Sequence, residues 1–95
     1  MAPQKLPLSD PDWWSNFQKL LDDNNEWPVH YVFKFIVPKA GLDDLKALFK
    51  DHSIDVKASS KGNYLSLTMH LFVESSDEVV EVYKTAGQVE GVIAL

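Results

Sequence analysis

The six residues Ser59, Ser60, Lys61, Gly62, Asn63 and Tyr64 form the chain's densest group of anion-binding types. Two hydroxyls, one ammonium and the backbone N–H groups freed around a glycine suit a phosphate or a carboxylate. The same residues also make an ordinary polar hairpin, in which Gly62 takes a positive φ, Asn63 tolerates one, and the serines bond local backbone. The stretch lacks the GxxxxGK[ST] spacing of a nucleotide loop. Lys34 joins the candidate set as a cation on the same outward row as Tyr64.

Other chemistry is sparse. His30 and His70 fall on strands expected to be antiparallel neighbours, and on the same face. They could hold a metal with a carboxylate, but no H-x-H or HExxH spacing supports a site, so both read as ordinary polar residues. His52 reads as the end of a helix. The carboxylates scatter over helix starts and loops, and no G-x-S-x-G elbow accompanies them. No enzyme activity, cofactor or metal is therefore expected.

Composition narrows the class. A chain of 95 residues is expected to be one domain, and its 45% hydrophobic and 24% charged residues are those of a globular protein. The net charge of −5 disfavours a nucleic-acid backbone or an anionic membrane as main partner. No run approaches the ~20 apolar residues of a membrane span, and no secretory signal stands out. With no cysteine, there is no disulfide, thiolate metal site or cysteine nucleophile, and a cytoplasmic location is expected.

The positioning elements follow from periodicity. Residues 1–9 are expected to form a flexible N-terminus. Residues 10–26 read as a helix and linker, with Asp10 as N-cap, Pro11 at the first helical position, and Trp13, Phe17, Leu20 and Leu21 on one face. Its acidic end, Asp22 and Asp23, opposes the helix dipole and is expected to fray. Residues 27–95 form the main domain. Val29, Tyr31, Phe33, Phe35 and Val37 alternate toward a core, against His30, Val32, Lys34 and Ile36. A helix with Leu42, Leu45, Leu48 and Phe49 follows. Then come a strand over 54–58, the hairpin, and a strand with Leu65, Leu67, Met69, Leu71 and Val73 inward. Ser75 and Glu78 have capping-box spacing ahead of a helix burying Val79, Val82, Tyr83 and Ala86, with Gly87 as its stop. Residues 90–95 make a last strand.

This β-α-β-β-α-β order predicts a ferredoxin-like α+β fold with a four-stranded antiparallel sheet. The strands are expected in the spatial order last, first, third, second. Right-handed crossovers place two helices on one face and leave the other open. That open face carries Val32, Ile36, Tyr64 and Phe72, so the extra N-terminal helix is expected to fold back over it, with a second copy of the chain as the other candidate cover.

The run from Pro28 to Val37, together with Val56-Lys57-Ala58-Ser59-Ser60-Lys61-Gly62-Asn63-Tyr64, resembles the YbeD family of small uncharacterised bacterial proteins. That family is similar in fold to ACT regulatory domains. Pro38-Lys39-Ala40-Gly41-Leu42, His52-Ser53-Ile54-Asp55-Val56 and Gly91-Val92 look like ACT landmarks, although Lys39 and Ala40 separate the proline and glycine that are adjacent there. The resemblance implies a small non-enzymatic regulatory or adaptor module that binds an anionic ligand at 59–64. The competing expectation is a protein-interaction domain using the open sheet face or edge, with an unknown protein or a homodimer as partner.

Overall fold

The computed structural model describes residues 4–5, 9–58 and 63–94. Its elements are β1 (Gln4–Lys5), α1 (Pro11–Asn24), β2 (Val29–Pro38), a 3-10 turn (Lys39–Gly41), α2 (Leu42–Leu48), β3 (Ile54–Ala58), β4 (Tyr64–Val73), α3 (Ser76–Ala86) and β5 (Ile93–Ala94). The strands form one antiparallel sheet in the order β1-β5-β2-β4-β3. The expected four-strand order is present, and β1 adds a fifth strand at its edge. Gln4 and Lys5 pair with Ala94 and Ile93, in a segment where periodicity marked no element.

The central pair runs from Val29 opposite Val73 to Pro38 opposite Tyr64 without a slip. A shift by one residue would turn every apolar side chain to the wrong face, so the alternation fixes this register. Phe33, Phe35, Val37, Leu65, Leu67, Met69 and Val73 are buried beneath the helices, with Tyr31 and Leu71 packed at the margin. From above, Leu45, Phe49, Val79, Val80, Tyr83 and Ala86 close the core. Tyr83 sits among aromatic rings, with centroids 5.3 Å from Phe33, 5.7 Å from Phe35 and 5.4 Å from Phe17.

The last contact corrects the place expected for α1. This helix does not cover the open sheet face. It lies beside α3 in the helical layer, where Trp14 and Leu21 join the core. The Gln18 amide donates to Ser76 Oγ at 3.1 Å and to Asp77 Oδ1 at 2.6 Å, and Lys84 Nζ sits 5.5 Å from the Trp14 ring centroid. On α1, Leu20 of the expected face is 60% exposed and Trp14 is buried in its place, while Leu21 is buried and Trp13 and Phe17 pack against the core as expected.

Both ends of α1 are capped. Asp10 Oδ1 accepts from Trp13 N at 3.1 Å, as its N-cap role predicts. At the acidic end, the Asn24 and Asn25 amides donate to the Leu20 and Leu21 carbonyls at 2.7 and 2.9 Å, satisfying groups that would otherwise favour fraying. Ahead of α3 the expected capping box does not form. Glu78 reaches back to the Glu74 N–H instead of Ser75, and the Ser75 side chain makes no cap bond. Gly87 ends α3 in the right-handed region at φ −65°, so its freedom to adopt positive φ is not used there.

Candidate functional site

Ser59, Ser60, Lys61 and Gly62 lie outside the described residues. The rest of the candidate group is placed. Asn63 and Tyr64 are exposed, and the Asn63 carbonyl accepts from Lys39 N at 3.2 Å, tying this leg of the hairpin to the turn after β2. Tyr64 stands opposite Pro38, whereas Lys34 stands opposite Thr68. Four residues of strand, about 13 Å, separate the Lys34 and Tyr64 backbones. Lys34 therefore belongs to the middle of the sheet face.

That open face is laid out by the register. His30 faces Phe72, with ring centroids 5.0 Å apart, and Val32 faces His70. Next comes a row of Lys34, Thr68 and Asp55, then a row of Ile93, Ile36, Ser66 and Lys57. Phe72 is 57% exposed, Tyr64 46% and Val32 44%. No helix lies over them among the described residues, because α1, α2 and α3 all contribute to the core on the other side. His30 and His70 are diagonal neighbours here, and among the described residues no three histidine or carboxylate side chains gather as a metal-holding group. Asp55 is the one carboxylate among the described strand residues of this face. The other carboxylates of this net −5 chain lie elsewhere, on helices, turns and loops.

Two segments singled out in the sequence meet at one end of the sheet. Pro38, Ala40, Gly41 and Asp44 line a shallow recess with Val89, Glu90 and Gly91. Gly91 holds φ at 81°, and a Cβ there would lie 2.7 Å from the Pro38 ring. A Cβ on Gly41 would meet Val37 at 2.9 Å and Val89 at 3.1 Å. Both glycines thus permit close approach of the α3–β5 loop to the turn after β2.

In the core, burial pushes the Tyr83 hydroxyl pKa well above the usual tyrosine value, and hydrogen bonding with Tyr31 adds to the shift. This group is enclosed by aromatic rings and serves packing. Alternation places Val32, Tyr64 and Phe72 on the open face, as the sequence reading expects, and the register sets Phe72 and Val32 as diagonal neighbours with Tyr64 at the other end.

An open-faced α+β sandwich with a bare, aromatic-bearing sheet surface defines the class of protein. A family model described as "Protein of unknown function (DUF493)" matches residues 22–95, and the chain belongs to that family. It is 45% identical over 78 residues to a UPF0250 protein of Shewanella oneidensis, covering 75% of this chain and 89% of the relative. A UPF0250 protein of Idiomarina loihiensis is 33% identical over 85 residues, covering 82% of this chain and 92% of the relative. These bacterial relatives agree with the YbeD-like resemblance. No solved structure matches the chain. Among the described residues no helix is long and apolar enough to cross a membrane.

Proposed function

We propose that the chain is a non-enzymatic, cytoplasmic adaptor module that docks an acidic polypeptide segment on its open sheet face. The observation that carries this reading is the exposure of the diagonal neighbours Phe72 and Val32 on a sheet surface that α1 leaves bare, with Tyr64 exposed at the far end of the same face. Exposed apolar side chains clustered on one face mark an interaction site more often than scattered ones do. Charge supports the choice of partner. The face presents Lys34 and Lys57 against Asp55 alone, although the whole chain is acidic. A segment with one apolar anchor and flanking carboxylates would cover Phe72 and meet Lys34. Burying the remaining half of a phenylalanine contributes about 1–2 kcal/mol, or roughly five- to thirty-fold in affinity.

The test is an amide chemical-shift titration with acidic peptides bearing one aromatic residue, and in parallel with single-stranded oligonucleotides. Docking predicts shifts at Val32, Lys34, His70 and Phe72 with peptide, weakened by Lys34→Glu and by Phe72→Ser. Shifts with oligonucleotide alone, or a face unmoved by every peptide, reject it.

The second reading is an anionic ligand held by Ser59, Ser60, Lys61, Gly62, Asn63 and Tyr64 in a regulatory module. The bond from Lys39 N to the Asn63 carbonyl favours it, because it anchors one leg of the hairpin. A thermal-shift screen with phosphate and carboxylate metabolites checks it. A ligand at a hundred times its dissociation constant stabilises by about 2.7 kcal/mol, and Lys61→Ala should remove the response. A response unchanged in that variant places the ligand elsewhere.

A further inference from the structure

The sheet has two edges, and they differ. One is the two-residue β1. The other is β3, Ile54–Ala58, which pairs with β4 on one side and, among the described residues, has no strand on the other. Asp55, Val56, Lys57 and Ala58 are all exposed. A five-residue edge without proline is a template for another strand. Val56 makes this edge unusual. It stands opposite buried Leu67, on the row that faces the helices, yet it is 41% exposed. Leu48, on the helix that delivers the chain to β3, is also 41% exposed.

The sequence of this edge is self-complementary. Ile54-Asp55-Val56-Lys57-Ala58 can be laid antiparallel against a second copy with Val56 on the twofold axis. Asp55 of each chain then stands opposite Lys57 of the other, on the open-face side. Val56 meets Val56, and Ile54 meets Ala58, on the helix side. An edge lysine ordinarily discourages pairing, but here each lysine finds a carboxylate. A twofold interface requires a surface that complements itself, and this register supplies one.

We propose that β3 is the subunit interface of a twofold dimer, in which two copies join their sheets antiparallel with Val56 at the axis. The pairing sets two open faces side by side as one platform and leaves Lys34 of each copy free on it. The interface shares Asp55 and Lys57 with the rim of the open face but does not depend on docking there. A pair of five-residue strands is a small interface, so the dimer is concentration-dependent.

Sedimentation velocity over rising concentration, up to about 1 mM chain, tests it. Wild type is expected to move from one copy to two. Asp55→Lys places lysine opposite lysine, and Lys57→Asp places aspartate opposite aspartate. Each variant should weaken dimerisation at least about tenfold. The double variant Asp55→Lys/Lys57→Asp should dimerise again, and an equimolar mixture of the two single variants should form the mixed dimer. Both positions are exposed, and matching circular dichroism melts confirm that the variants fold. A monomer throughout the range overturns the proposal. So does a dimer indifferent to both charge reversals, or one abolished by Phe72→Ser and untouched at β3.

Discussion

Replacing Trp14 with alanine tests where α1 belongs. Trp14 is 4% exposed, its ring lies 4.8 Å from that of Trp13 and 6.1 Å from that of Phe17, and it shares the core with the main domain. Removing a buried tryptophan costs about 3–5 kcal/mol, through lost transfer energy and the cavity left behind. A domain of this length has about 5–14 kcal/mol in total. Trp14→Ala therefore removes a large part of the stability and lowers the melting midpoint by about 12–40 °C. Thermal and urea melts followed by circular dichroism give both figures. Leu20→Ala is the control, because Leu20 is 60% exposed and its loss should stay within about 0.5 kcal/mol. If Trp14→Ala melts with wild type while Leu20→Ala falls, α1 is rotated and docked otherwise than described.

Two further outcomes follow from the packing. Gly91→Ala forces a side chain into φ 81° and against the Pro38 ring at 2.7 Å, so it should destabilise by about 2–4 kcal/mol in a urea melt. Burial raises the Tyr83 pKa in the folded chain, so above about pH 10 the unfolded chain releases a proton that the folded chain keeps. That term is fully present below the unfolded tyrosine value. It declines by about 1.4 kcal/mol per pH unit above it, until the folded pKa is reached. Tyr83→Phe should remove this part of the alkaline slope, and identical slopes in the two proteins would contradict the burial argument.

The strands were legible because a period of two can be satisfied in only one way over ten residues. Phe33 and Phe35 alternate with Val32 and Lys34, and Leu67 and Met69 with Ser66 and Thr68, so the inner rows came directly from sequence. The N-terminal helix was harder to orient. Trp13-Trp14 and Leu20-Leu21 are apolar doublets seven residues apart, so two faces fit the same period. The polar bonds of Gln18 to Ser76 and Asp77 connect residues 58 and 59 positions apart, which no local pattern announces. An amphipathic stripe likewise does not say which surface it will cover. The open sheet face and the flank of α3 were both apolar, and α1 lies against α3, where Phe17 meets Tyr83. Two-residue β1 is too short for any periodic signal. For the candidate site, alternation placed Tyr64, Phe72 and Lys34 on one face, and only the register separated Lys34 from the hairpin.

The central claim is that three helices share one side of the sheet and leave the other bare. Proton–proton contacts between side chains, measured by nuclear Overhauser spectroscopy, test it most directly. The structure predicts cross-peaks between Phe17 and Tyr83, whose ring centroids are 5.4 Å apart, and none from Trp14 or Leu21 to Val32 or Phe72. Strong cross-peaks from α1 to Val32 or Phe72 would contradict it.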